Sequence, residues 1–443
     1  MKTTVDDLSS VKKKLMIEIE AEEVEKKIDK TFREYGKKAK IKGFRPGKIP
    51  RNILENYFGK QVLEEVTDFL VRETLPKALE ETKLLPLNVP LIENEVLKRG
   101  ENYHYSAIME VKPEFELVDY KGLEVEKEIC SVTDDDVSKQ LDEIREANAT
   151  LSPVTEDRGI QEGDYAVVDY EGQDDHGLIE GIKAQNFSLI IGKKRFYPGV
   201  EEALIGQKKG TSSTITVEFE DHYFHSKLAG KKVTFEIKVV DIKEVELPEL
   251  NDDFVKKLGD EFQDLEELRQ KIKEGLLTRE EKRIDKELKE RLLDKISEKV
   301  EFELPESIVD AEVNAGIESV KQNLMRAGSD FNKSGLDETK LQQEFRPISE
   351  KKVKGIFILG EIAKQNDLNV SEQDIEDGFN EMSKGMGYDP AALRRYYDTN
   401  NMMDSYRQTL LKEKTLNYLV ENARVVEVDA EKMQGVSQEN NLQ

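Results

Sequence analysis

The chain has 443 residues, room for about three domains. Its 68 Lys and Arg stand against 93 Asp and Glu, so the formal net charge is −25, with 36% charged and 37% hydrophobic residues. Patterned apolar runs exclude a collagen-like or wholly disordered chain, and none nears the roughly 18 apolar residues of a membrane-spanning helix. The opening segment from Met1 to Asp7 has no apolar core, so no secretory leader is expected, and the single cysteine, Cys130, fits a reducing compartment. A soluble, acidic, cytoplasmic protein with no membrane partner is predicted.

A strand at Lys14–Ile19 comes first. Val24, Ile28, Phe32 and Tyr35 then recur at helical spacing and predict a helix from Ala21 to Lys40. Ile53, Leu54, Tyr57, Phe58, Val62 and Val66 predict a second helix. Between the two lies KKAKIKGFRPGKIPR, residues 37–51, with seven basic residues (Lys37, Lys38, Lys40, Lys42, Arg45, Lys48 and Arg51) and no acidic one. Gly43, Pro46, Gly47 and Pro50 stop any helix and make an exposed loop with Phe44 and Arg45 at its tip. A lysine run is ordinarily a solvated helix end. This one opposes the charge of the whole chain, is stiffened by two prolines, and sets an aromatic beside an arginine. Such a pair can anchor on protein or stack on RNA, so a binding loop is expected. Strands near Leu91–Lys98 and Tyr103–Lys112 follow.

Residues 114–152 read as a linker with a helix, started by Thr133 and Asp136 and running to Ala147. From 153 to 246, alternating runs (Tyr165–Tyr170, Phe187–Ile191, Thr214–Phe219, Val233–Val240) are separated by glycine turns, as in a small antiparallel β domain. Beyond 247 the spacing of Leu265, Leu268, Ile272, Leu276, Ile284, Leu288, Leu292 and Ile296 predicts a helix over Asp264–Lys299. Further helices are expected at Ser307–Met325, Glu338–Gln365, Ser371–Lys384 and Asp389–Glu421, with breaks at Arg326–Ser329 and Lys384–Gly387. Met382, Met386, Tyr396, Tyr397, Met402 and Met403 read either as core or as adaptable contact surface. The residues from about 428 onward are polar.

GFRPGKIP, from Gly43 to Pro50, resembles the signature loop of the trigger factor family of ribosome-associated bacterial chaperones. LPELNDDFVKKLG (Leu247–Gly259) and LEELR (Leu265–Arg269) resemble the start of that family's chaperone domain. The middle of the chain resembles FK506-binding prolyl isomerases through VVDYEG (Val167–Gly172), NFSLIIG (Asn186–Gly192), RFYPGVEEALIGQKKG (Arg195–Gly210) and the strand with Phe235. The resemblance implies a multidomain α+β fold: an N-terminal α/β ribosome-docking domain (1–113), the 114–152 linker, an FK506-binding-like antiparallel β domain (153–246), an all-α chaperone domain (247–430) and a tail (431–443).

It implies ribosome contact through Gly43, Phe44, Arg45, Pro46, Gly47 and Lys48, on a protein at the exit-tunnel rim and adjacent rRNA. Pro46 stands where many members carry a basic residue, which leaves that charge to Lys48. It implies a prolyl pocket of Tyr170, Ile179, Glu180, Phe187, Phe196, Tyr197, Val200, Tyr223 and Phe235. Ile179 and Val200 replace aromatics usual at their positions, so weakened catalysis is expected. The partners implied are the ribosome and unfolded nascent polypeptides, with a monomer on the ribosome and a homodimer when free. No cofactor or metal is expected. No phosphate-binding Gly-Lys-Ser/Thr motif supports an ATP cycle, and the His222–His225 pair lacks companion ligands. Three rivals stay open at this point: a free prolyl isomerase with recruiting domains, an off-ribosome holdase, and an RNA-binding protein using the basic island alone.

Overall fold

The computed structural model describes residues 1–429 except Gly43, Pro46, 155–157, His176, Arg195, 221–222, 224–226, 260–261, 327–330 and 332–335; the side chains of Glu180 and Met386 are also outside the description. The expected break at Arg326–Ser329, the tail and the His222–His225 pair therefore fall on residues that are not described. Two compact units form, 1–126 with 287–426, and 127–286 with the described residues after 426.

The chain opens with strands β1 (Lys2–Asp7) and β2 (Lys12–Ile19), then helices α1 (Ala21–Lys38) and α2 (Arg51–Thr82), then β3 (Leu91–Asn94) and β4 (Tyr103–Glu110). The strands form one antiparallel sheet in the order β1-β2-β4-β3. Alternation decides its two faces: Leu15, Ile17 and Ile19 with Tyr103, Tyr105, Ala107 and Met109 are buried on one, and the residues between them lie on the other, where His104 is exposed and Ser106 is buried. Val24, Ile28 and Phe32 of α1 and Leu54, Val62, Val66 and Leu70 of α2 cover the buried face. The segment Lys2–Asp7 is a strand that the sequence reading did not include. It is an edge strand with largely exposed side chains, so it lacks the half-buried alternation that announces one.

Next come β5 (Glu124–Glu128), α3 (Asp134–Ala147) and β6 (Thr150–Pro153). Thr133 caps α3 in a full capping box with Asp136, as its sequence predicts. Phe115, Leu117, Val118, Tyr120 and Val125 pack on helices of the C-terminal third, and Phe115 stacks on Phe302 at 4.1 Å.

β7 (Tyr165–Asp174), β8 (Gly177–Ile190), the short α4 (Val200–Leu204), β9 (Ser212–Glu218) and β10 (Lys232–Glu246) follow. The antiparallel sheet runs β6-β10-β7-β8, with β9 also on β10. β10 spans 15 residues and shifts register between Val239 and Asp241, so one strand serves three partners.

The remainder is helical: α5 (Asp252–Leu258), α6 (Leu265–Ser297), α7 (Glu306–Arg326), α8 (Glu338–Gln365), α9 (Glu372–Met386), α10 (Pro390–Thr399) and α11 (Met403–Glu421), closed by β11 (Arg424–Val428) on β5. Leu288, Leu292 and Ile296 meet Ile358, Leu359, Ile362 and Leu419. Val309, Val313 and Ile317 meet Val353 and Phe357. The single helix expected over Asp389–Glu421 is two. Asn400 ends α10 and Asn401 takes φ +54°, a left-handed turn that Asn tolerates, so α11 starts in a new direction although the apolar spacing runs on. The break expected at Lys384–Gly387 reduces to Gly387, the left-handed C-cap of α9. Met382, Tyr397 and Met403 pack against Phe379 and Tyr406, while Tyr396 and Met402 are exposed.

Candidate functional site

The basic loop begins where α1 stops. Ala39 donates its N–H to Tyr35 O at 2.7 Å, and Ile41 and Ile49 pack on the core, so both flanks are pinned while Lys42, Phe44, Arg45, Gly47 and Lys48 are exposed. Inside the loop, Phe44 N–H donates to Ile41 O (3.0 Å) and Lys48 N–H to Arg45 O (3.0 Å). Gly47 N–H reaches Gly36 O of α1 at 2.8 Å. Gly47 sits at φ +82°, which a side chain would strain. Phe44 is 38% exposed, a large apolar ring held out in water, with Arg45 and Lys48 exposed beside it. Gly43 and Pro46 lie outside the described residues.

Among the described residues Lys37, Lys38, Lys40, Lys42, Arg45 and Lys48 make no ion pair, so their charge faces solvent. Arg51 differs from the other six. Its Nε lies 2.7 Å from Glu55, its Nη2 lies 3.0 Å from Asp29, and its guanidinium carbon lies 3.8 Å from the Phe32 ring centroid. The island of seven basic residues thus presents six outward cations. Helix spacing offers Glu55, four residues on along α2, but Asp29 and Phe32 are brought in only by the α1–α2 packing.

In the middle of the chain, β7, β8, β10 and the segment before α4 bring aromatic rings together. Tyr170 meets Phe187 at 5.5 Å, Phe196 at 5.0 Å and Tyr197 at 6.1 Å, all near edge-to-face. Phe196 meets Tyr197 at 4.6 Å, and Tyr197 stacks on Phe235 at 4.6 Å. Tyr223 joins through Phe219, at 4.6 Å. Val200 and Phe235 are wholly buried, while Tyr170, Ile179, Phe196, Tyr197 and Tyr223 are half-buried and Phe187 is exposed. Seven of the nine expected residues therefore border a surface or underlie it in one assembly with Phe235. Glu180, whose side chain is not described, stands apart from that statement. Phe219 belongs to the assembly but not to the expected pocket. Its place at the end of the β9 run reads as plain core.

Burial pushes the Tyr170, Tyr197 and Tyr223 phenols above their ordinary range, Tyr197 furthest, with Tyr170 beside it adding to the effect. All three are neutral hydrogen-bond donors near neutral pH. An apolar, ring-lined surface with neutral donors at its border suits an X–Pro amide. Rotation about that bond passes a barrier of about 20 kcal/mol, and leaving the planar form reduces the amide's demand for water.

Glu201 sets the wall. It is buried, and its carboxylate accepts N–H bonds from Gly192 (3.0 Å), Lys194 (2.8 Å) and Phe196 (3.0 Å). It thereby ties Gly192, Lys194 and Phe196 to one carboxylate and aims Phe196 and Tyr197. Arg158 and Asp164 pair in the same domain, with Arg158 Nη2 3.0 Å from Asp164 Oδ1 and Gln161 N–H 2.8 Å from Oδ2. Neither carboxylate has a sequence signal, because an acid in a charged chain reads as solvated surface.

Comparison with known proteins bears on the whole length. Residues 1–144 match the family model described as bacterial trigger factor protein, 264–421 match its C-terminal counterpart, and 156–240 match FKBP-type peptidyl-prolyl cis-trans isomerase. Trigger factor of Geobacter sp. (strain M21) is 38% identical over 429 residues, covering 97% of this chain and 99% of that one. Trigger factor of Halalkalibacterium halodurans is 35% identical, covering 93% and 96%. A solved trigger factor chaperone shares the fold, with TM-score 0.50 and 23% identity over 95% of this chain and 99% of that one. Among the described residues no helix is long and apolar enough to cross a membrane. With its three parts matched in order and a relative at 38% identity end to end, the chain belongs to the trigger factor family, chaperones with an FKBP-type peptidyl-prolyl cis-trans isomerase domain.

Proposed function

We propose that this chaperone works on the ribosome, in the cytoplasm, and holds nascent chains without an ATP cycle. The loop from Gly43 to Lys48 docks on a protein at the exit-tunnel rim and on adjacent rRNA, with Phe44 and Arg45 as anchors and Lys48 supplying the third charge. The observation that carries this reading is the exposed Phe44 on a pinned loop, ringed by six outward cations in a chain of net charge −25. The chain docks as a monomer and pairs into a homodimer when free. Its working parts are divided at 1–113, 114–152, 153–246, 247–430 and 431–443.

The isomerase pocket consists of Tyr170, Ile179, Glu180, Phe187, Phe196, Tyr197, Val200, Tyr223 and Phe235. Its catalysis is reduced because Ile179 and Val200 give a proline ring less aromatic surface to meet. The exposed Tyr396 and Met402, together with Tyr388, offer clients adaptable apolar contacts. Titration of ribosomes and of protein-free rRNA with the intact chain and Phe44→Ala tests the docking mode. Loss of ribosome binding in the variant supports anchoring on protein and RNA together. Equal binding of both variants to naked rRNA and ribosomes would mean that the charges alone suffice.

A further inference from the structure

Arg51 breaks a local rule. It is the first residue of α2, directly after the Pro50 N-cap, and α2 has no acidic residue in its first turn. A cation there opposes the helix dipole, and six more cations stand in the preceding 14 residues. A lone surface arginine would gain by pointing to solvent. This one instead turns back across α1, stacks on Phe32, donates its Nε–H to Glu55, and brings Nη2 to 3.0 Å from Asp29 as an ion pair whose angle makes no hydrogen bond. Glu55 is shared with Arg99, whose Nη1 is 2.7 Å away, and Arg99 also holds Glu25 through Nη2 at 3.0 Å. Glu25 accepts the Gly100 N–H at 3.0 Å as well. The chain Asp29–Arg51–Glu55–Arg99–Glu25 therefore laces α1, the start of α2 and the 99–100 turn together, with its Arg51 end directly behind the docking loop.

We infer that Arg51 is a positioning residue for the loop rather than one of its contacts. This rests on the docking reading above. The loop hangs between the last turn of α1 and the first turn of α2, and Gly47 N–H to Gly36 O is its main hydrogen bond across to α1. Fixing the start of α2 against Asp29 and Phe32 sets the spacing of the two loop ends and so the direction of Phe44. A planar guanidinium can stack on the ring and reach two carboxylates at once; an ammonium cannot.

The test is a salt series of ribosome binding with the full chain. Each cation that contacts RNA phosphate should contribute about 0.7–0.9 to the slope of log affinity against log salt. Lys48→Gln is expected to lower the slope by about that amount. Arg51→Gln is expected to weaken binding about three- to tenfold with the slope unchanged, and Arg51→Lys to restore little of the loss. Asp29→Asn decides the sign. Removing a negative charge beside the basic loop should tighten RNA binding if only long-range charge matters, whereas loss of the Arg51 anchor should weaken it. Tighter binding by Asp29→Asn, a reduced slope for Arg51→Gln, or unchanged affinity for Arg51→Gln each overturns the inference. If Phe44→Ala/Arg45→Ala binds like the parent chain, the docking reading itself fails, separately from the role given to Arg51.

Discussion

Replacing Glu201 by Gln should loosen the isomerase wall while leaving the domain folded. In the parent chain Oε2 accepts from Gly192 and Lys194, and Oε1 accepts from Phe196, all at 2.8–3.0 Å. Gln can place its carbonyl oxygen at the Oε2 position and keep two acceptances in weaker neutral form. Its NH2 then faces the Phe196 N–H, donor to donor. Leaving one buried donor unmet costs about 1–3 kcal/mol, and two bonds stripped of charge assistance lose about 0.5–1 kcal/mol each. The sum is about 3 kcal/mol, roughly a hundredfold in local opening. Native-state hydrogen exchange over 192–199 should therefore speed up about a hundredfold, with the β10 amides unchanged. Isomerisation of a tetrapeptide should fall with it, because Phe196 and Tyr197 lose their anchor. Exchange within about twofold of the parent, together with unchanged kcat/KM, would refute the assignment of Glu201 as the organiser of this wall.

Asp164→Asn should cost about 1–3 kcal/mol of stability in the same domain, since it removes the charged acceptor shared by Arg158 and the Gln161 N–H while Arg158 keeps Gly159 O and Glu244 within reach, and urea unfolding reads the loss. Burial raises the Asp164 carboxyl, but Arg158 and the Gln161 N–H outweigh it and hold the group below its ordinary range. That contribution is present above the ordinary carboxylate range and lost as pH falls through it and below, so the domain should weaken on acidification, and Asp164→Asn should flatten this dependence. In the N-terminal sheet, at the alkaline end, the sign reverses. Burial pushes the Tyr103 phenol up to about 12, so its contribution is intact below pH 10 and lost as pH rises from 10 towards 12, about 1.4 kcal/mol by pH 11. Stability that stays flat between pH 9 and 11, with or without Tyr103→Phe, would contradict this. Gly378→Ala in α9 would bring a methyl to 2.2 Å from the Tyr406 hydroxyl. It should destabilise the α9–α11 packing by about 1–3 kcal/mol, read as faster proteolysis of 372–421.

What the sequence made legible follows from how local each signal is. The α3 capping box is written in Thr133 and Asp136, and α8 begins and ends where its apolar spacing does, because both depend on neighbours within a turn or two. The aromatic assembly, Phe219 apart, was legible through likeness of motif, since its rings come from five separate segments that only the fold brings together. Other features were hidden for physical reasons. Lys2–Asp7 is an edge strand without an apolar face. The turn at Asn400 and Asn401 interrupts a helix without interrupting its hydrophobic spacing. Glu201 and Asp164 look like any other acid in a chain with 93 of them, and only burial and their N–H and guanidinium partners distinguish them. Arg51 looks like a seventh loop cation until α1 supplies Asp29 and Phe32.

The central claim is that the 43–48 loop puts this chaperone on the ribosome. Co-sedimentation with ribosomes at low and high salt, comparing the intact chain with Phe44→Ala/Arg45→Ala, addresses it most directly. The account predicts that the intact chain pellets with ribosomes at low salt and is progressively released as salt rises, while the double variant stays in the supernatant throughout. Equal pelleting of the two would mean that the loop is a solvated turn, and would leave the isomerase domain and the helical body as the seats of function.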